Sequence, residues 1–127
     1  FIHRKEGNMR DVKKKLFLAM QTVNILEGLR FYVSFACSWA FAELKKMEGT
    51  AKIIKFIARD ENTHLAGTSI MIKKLLQEDP DYVKISKEME SDAIALYVSV
   101  IEQEKEWAEC LIKDGSMIGL NGNMLSD

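Results

Sequence analysis

Hydrophobic positions recur at steps of three and four along most of the chain, the spacing of one face of an α-helix rather than the alternation of a strand. From Asp11 the series Leu16, Met20, Val23, Glu27, Phe31, Ser34 and Ser38 predicts a helix running to about Lys46. A second stripe, Ala19, Leu26, Val33 and Cys37, widens the apolar face beyond that of an ordinary surface helix, so neighbours are expected on more than one side. The segment "MEGT" closes it: Gly49 suits the left-handed position after a helix, and Thr50 the cap of the next. That next helix spans about Ala51 to Gln77 through Ile54, Ile57, Ala58, Glu61, Leu65, Thr68, Ile72 and Leu75. "QEDPDY" then supplies Asp79 as cap and Pro80 as first residue of a third helix. It runs to about Ile112 through Met89, Ala93, Leu96, Val100, Glu104, Trp107 and Leu111. The Gly-rich turn "KDGSMIGLNGN" follows, with a fourth helix beginning near Asn123, and residues 1–10 are expected to be loose. Short connections make successive helices antiparallel neighbours, which predicts one all-α domain built as a helical bundle.

Composition supports this and narrows the function. One proline and seven glycines in 127 residues leave little punctuation, as a few long helices require. Hydrophobic residues at 47% suffice for a core, and 29% charged residues exclude a low-complexity chain. A formal net charge of −1 makes no electrostatic case for nucleic acid or an anionic membrane as partner. No apolar run reaches the roughly 18 residues of a membrane span, and no secretory signal opens the sequence. Cys37 and Cys110 form no CxxC pair and are read as reduced thiols of a cytoplasmic protein, Cys37 as a small buried hydrophobe. The chain opens on Phe1 rather than Met and stops at Asp127 just after a turn, so it is expected to be a piece of a longer polypeptide.

Candidate chemistry lies in "FIARDENTH", Phe56 to His64, inside an otherwise apolar helix. Glu61 and His64, three residues apart, share a helix face and can converge on one ion; a carboxylate with an imidazole suits iron, manganese or zinc. ExxH alone is weak, because surface ion pairs use the same spacing. Glu27 adds to it. It lies one turn from Val23 and Phe31 in "NILEGLRFYVSFA", where an unpaired carboxylate is costly to bury and needs a partner or a metal. Arg30, at i+3, is one candidate partner. One isolated Glu and one ExxH on neighbouring helices make up half the ligand set of di-iron and di-manganese carboxylate bundles, which take a Glu from each of two helices and an ExxH from each of two others. The sequence holds no second ExxH, and His3, the other histidine, has no Glu before it.

Three blocks in order, "LEGLRFYVSFACSWAF" (26–41), "MEGTAKIIKFIARDENTHLAGT" (47–68) and "QEKEWAECLIKDGSMIGLN" (103–121), resemble the second half of the small, radical-generating subunit of class I ribonucleotide reductases. They are most similar to the class Ia form of enteric bacteria and their phages, over nearly the whole chain from about residue 12. The resemblance implies a ferritin-like bundle, here partial, with about three long helices and the start of a fourth. It implies that Glu27, Glu61 and His64 bind one metal of a di-iron centre, with Glu61 bridging and the other two terminal. Manganese is compatible with the same ligands. Asp60 matches the aspartate that orients groups around the other metal and belongs to the long-range electron and proton route. Its plain alternative is a surface charge or a partner for His64 at i+4. Phe31, Phe35 and Ile57 match the apolar pocket packed around the stable tyrosyl radical, where a dry wall keeps water and reductants from an oxidising phenoxyl.

The family's remaining ligands, its radical tyrosine and its near-metal tryptophan have no counterpart in these residues; Tyr32, Tyr82, Tyr97, Trp39 and Trp107 are read as packing or surface residues. Gly28 stands where the family usually has Ala, which weakens the helix by up to about 1 kcal/mol and suggests a local distortion such as a π-bulge. The implied function is O2 activation at the di-iron centre, oxidation of a tyrosine, and delivery of that oxidising equivalent to a large subunit that reduces ribonucleotides to deoxyribonucleotides. The implied assembly is a homodimer of small subunits in the cytoplasm. Two alternatives stay open: another di-iron oxidase or monooxygenase, and a metal-free helical interaction module in which Glu27, Glu61 and His64 are internal ion pairs.

Overall fold

The computed structural model describes residues 8–116 and Leu120, and the helices among them run α1 (Met9–Gly28), α2 (Tyr32–Glu43), α3 (Glu48–Glu78), α4 (Pro80–Glu88) and α5 (Glu90–Ile112). The all-α bundle expected from the periodicity forms, consistent with the partial ferritin-like form that the resemblance implied, but the first and third helices are each in two pieces. The helix expected near Asn123 lies outside the described residues, as does most of the loose start. Residues 8–10 are not loose, because the Asn8 side chain caps α1 by accepting from the Arg10 N–H at 3.2 Å.

The first break follows Gly28, the residue with the weakest hold on helical geometry in its neighbourhood. No π-bulge forms; α1 ends there, and a three-residue turn, Leu29 to Phe31, starts α2. Helical hydrogen bonds flank the turn on both sides, Leu29 N–H to Ile25 O at 2.9 Å and Phe35 N–H to Phe31 O at 3.0 Å. The three-and-four periodicity therefore continues across a break it cannot register. The second interruption is the single residue Met89 (φ −96°, ψ 7°), again bracketed by helical bonds to Ile85 O and from Ala93 N–H.

The turn between α2 and α3 also differs from expectation. Lys46 N–H bonds Phe41 O at 3.0 Å and Lys45 N–H bonds Ala42 O at 2.9 Å, the paired bonds of a Schellman ending. The left-handed residue is thus Lys45 (φ 59°), not Gly49, which lies inside α3. Met47, also left-handed at φ 53°, takes the cap position expected for Thr50 and supplies no side-chain bond. The α3–α4 junction is as expected: Asp79 caps α4 by accepting from the Asp81 N–H at 2.9 Å, with Pro80 first in the helix.

Helices α1 and α2 pack along α3, while α4 folds back against α1 and α3, and α5 against α1, α2 and α4. One core cluster joins Phe17, Tyr82 and Ile85, with Ile72, Leu75, Leu76 and Met89 against it. Nearer the α1–α2 turn, Ile25, Phe35, Ala58, Val100 and Ala108 are buried. The buried residues of α1, Phe17 and Ile25, belong to neither stripe read from the sequence, and Leu16, Val23, Leu26 and Phe31 remain exposed. The α3 stripe fares better, since Ala58 and Thr68 are buried.

Candidate metal centre

Glu27 stands in the last turn of α1, and Glu61 and His64 stand on one face of mid-α3. The two elements approach closely because Gly28 has no side chain: a Cβ there would lie 3.0 Å from Cδ1 of Leu65, the residue after His64. His64 Nδ1 lies 3.3 Å from Glu27 Oε2 and 3.4 Å from Glu61 Oε2. One donor atom from each of the three falls within 4.8 Å of the others, the spacing a single ion requires. The Glu61 and Glu27 side chains are 15% and 23% exposed, whereas His64 is 57% exposed at the open edge of the group.

Two carboxylates crowd together here with one imidazole between them. The Glu61 carboxyl is pushed above the ordinary range first by its hydrogen bond with the Glu27 carboxyl, then by burial and the Glu27 charge, against the opposing pull of His64. The His64 imidazole is also pushed up, chiefly by Glu61, so it holds its proton more firmly than a free histidine. Glu61 Oε2 is buried with no hydrogen-bond partner. A buried oxygen that its one nearby donor, His64 Nδ1 at 3.4 Å, does not reach in hydrogen-bonding geometry, beside a second carboxylate, is stabilised by a cation. Two carboxylates and an imidazole therefore fit iron or manganese, and no other group of three candidate ligands converges among the described residues.

The other candidate residues are distributed differently. Arg30 does not pair with Glu27. It reaches across to α5, 3.4 Å from Glu104 Oε1 and hydrogen-bonded to Gln103, because the turn after Gly28 redirects it. Asp60 is exposed and pairs with its neighbour Arg59 at 3.3 Å, so the structure gives it a surface partner and no bond to His64. Phe35 is buried, stacked on Phe31 at 6.2 Å between centroids and tilted against Trp39 at 6.1 Å; Phe31 and Ile57 are exposed. Tyr82 is core and Tyr97 half-buried, as packing residues should be. Cys37 is half-buried, its thiol pushed up by burial, and Cys110 is exposed. In the sequence Glu104 reads only as a position on the stripe of the third helix; like Glu27 and Glu61 it is a carboxylate among apolar neighbours, and that shared position is the signal that it needs a partner.

Comparison with known proteins bears on this arrangement. The family described as ribonucleotide reductase, small chain, matches residues 2–127. The chain is 55% identical over 119 residues to the ribonucleoside-diphosphate reductase subunit beta of Haemophilus influenzae, covering 92% of this chain and 32% of that protein. Identity to ribonucleoside-diphosphate reductase 1 subunit beta of Escherichia coli O157:H7 is 52% over 120 residues, 93% of this chain and 32% of that protein. The subunit beta of Enterobacteria phage T4 is 47% identical over 119 residues, 91% of this chain and 31% of that protein. The chain spans about a third of the length of these curated relatives.

Proposed function

The chain belongs to the ribonucleotide reductase small-chain family, and from that premise we propose that it forms one wall of the dimetal site of a class I small subunit. Glu27, Glu61 and His64 would hold one iron, with Glu61 turned toward a second metal whose remaining ligands lie outside these residues. The observation that carries this is the convergence of two carboxylates and an imidazole on one point, with Glu61 Oε2 buried and without a partner. Bound there, the iron pair would activate O2 to oxidise a tyrosine, and a large subunit would use that oxidising equivalent to reduce ribonucleotides to deoxyribonucleotides.

The chain's own residues prepare the site. Glu27 and Glu61 supply negative charge and oxygen donors that tolerate a change in iron oxidation state. His64 adds a donor without charge once its proton has left. Phe35, buried and stacked on Phe31, would form a dry, apolar wall together with Phe31 and Ile57. Asp60 would act in the electron and proton route once a partner faces its exposed carboxylate. The working assembly is a cytoplasmic homodimer joined to the large subunit; among the described residues no helix is long and apolar enough to cross a membrane.

Anaerobic titration of the full chain with iron(II) tests the site. Saturable binding that is lost in Glu61→Ala and His64→Ala is expected. Stoichiometry unchanged by both would remove the metal assignment and leave the three residues as an internal ion-pair group. After iron(II) and O2 the chain by itself should give no tyrosyl radical signal in electron paramagnetic resonance, since it brings only part of the ligand set.

A further inference from the structure

One turn before Glu27, Asn24 occupies an unusual position. Its Nδ2 lies 2.8 Å from Thr68 Oγ1, 3.0 Å from Ser69 Oγ and 3.5 Å from the Leu65 carbonyl oxygen, all on α3. Its Oδ1 accepts from the Tyr97 hydroxyl of α5 at 3.1 Å. The same hydroxyl lies 3.4 Å from Gln21 Oε1, and Thr68 Oγ1 donates to the Leu65 carbonyl at 3.1 Å. Among the described residues, Asn24 is the one side chain hydrogen-bonded to two other helices. Thr68 is buried, and Asn24, Ser69 and Tyr97 are half-buried, so lost bonds are only partly replaced by water.

Leu65 links this network to the ligands. It follows His64 directly, its carbonyl faces Asn24, and its side chain packs where Gly28 lacks a Cβ. Asn24 and Gly28 stand three residues before and one after Glu27. Slippage of α1 along α3 by one residue would move Glu27 by about 1.5 Å and turn it by about 100°. The apolar contacts along α1 and α3 are compatible with small slips, since hydrophobic attraction is non-directional. The Asn24 bonds are directional and hold one register.

We propose that Asn24 is a positioning residue of the ligand group: by tying α1 to α3 and α5 it sets the register in which Glu27 meets Glu61 and His64. The role rests on those three residues holding a metal. The test uses the full chain with cobalt(II) as probe, reading affinity and the visible absorption bands of the bound ion, beside thermal unfolding without metal. Asn24→Leu keeps the volume and removes every bond; Tyr97→Phe removes one and is the milder variant. Ile85→Val, in the core cluster that also holds Phe17 and Tyr82, serves as a destabilised control, and Glu61→Ala tests the site itself.

Asn24→Leu is expected to weaken cobalt(II) binding by about ten-fold or more and to alter the absorption bands, with Tyr97→Phe intermediate, the range found when groups behind metal ligands are removed. Ile85→Val should lower the melting temperature and leave affinity and spectrum unchanged. Wild-type affinity and spectrum in both Asn24→Leu and Tyr97→Phe would overturn the positioning role while Glu61→Ala still abolished binding. Should Asn24→Leu fail to fold, a wild-type result in Tyr97→Phe alone overturns it. Binding indifferent to Glu61→Ala would overturn the metal reading and the positioning role together.

Discussion

Glu61 and Glu104 share a property that their apolar stripe neighbours lack: each keeps a buried carboxylate oxygen, Oε2, with no hydrogen-bond partner. Their surroundings separate them. Glu104 has a cation, Arg30, at 3.4 Å, whereas Glu61 has a second carboxylate and an imidazole whose proton a bound metal would displace. With the Glu104 and Arg30 side chains 13% and 32% exposed, the pair is half withdrawn from water, so removing one member costs more than removing both. Arg30→Ala should lower the unfolding free energy of the full chain in urea by about 1–3 kcal/mol. The double variant Arg30→Met/Glu104→Leu should lose less. A double variant less stable than Arg30→Ala would refute this account of the pair. Glu61 and His64 stood out as candidate ligands because residue type and helical spacing put them on one face, and Glu27 because it is a carboxylate on an apolar stripe. The partner of Arg30 was not readable, because the three residues between Gly28 and α2 decide which way it points.

Helix ends carry the next layer of control. The N-terminal half of α1 is joined to α4 by charge: Lys13 Nζ lies 2.7 Å from both Asp79 and Asp81, and Glu88 takes Lys14 at 3.0 Å together with Arg10. The Lys13 hydrogen bond and the Asp81 N–H hold the Asp79 carboxyl below the usual carboxylate range, and Lys14 does the same chiefly for Glu88. Depressed carboxylates contribute stability that is fully present above their unfolded values, about pH 4, and lost as pH falls through the lower folded ones. The melting temperature should therefore fall between pH 5 and pH 3, with a smaller fall in Lys13→Met. An equal fall in both proteins would show that this seam is not responsible. At the α2–α3 turn, Lys45 holds a left-handed conformation that Gly adopts freely. Lys45→Gly should raise stability by about 0.5–1 kcal/mol, read as a shift of the urea midpoint at constant slope. A midpoint that moves down would mean that the Lys45 side chain contributes more than its backbone strain costs.

At the scale of the whole molecule, two helices leave many large apolar side chains open to solvent among the described residues. Ile53, Phe56, Ile57, Ile70 and Met71 of α3 are exposed, as are Ile94, Val98, Ile101, Trp107 and Leu111 of α5. Large apolar faces of this kind mark contact surfaces. With a formal net charge of only −1, little electrostatic repulsion opposes association. The isolated chain should bind a hydrophobic dye and sediment faster as concentration rises. A concentration-independent monomer without dye binding would show that these faces are stable in water.

The α-helical class, the Asp79–Pro80 start of α4 and the shared face of Glu61 and His64 could all be read without a structure. Each depends on residues within one or two turns of one another, where backbone geometry translates spacing directly into position. The break at Met89 could not, and Gly28 signalled a local distortion without showing that the helix ends there, since hydrogen bonds on either side keep the helical count in step through each interruption. Nor could the buried face of α1 be read, because two apolar stripes competed for it and packing against α3 and α4 selected Phe17 and Ile25 instead. The convergence of Glu27 with Glu61 and His64 belongs to this second group. Thirty-odd residues separate the two elements, and their meeting depends on how α1 lies against α3 beside Gly28, Leu65 and Asn24. Spacing along one helix is a covalent matter, but register between two helices is set by the side chains that cross the gap.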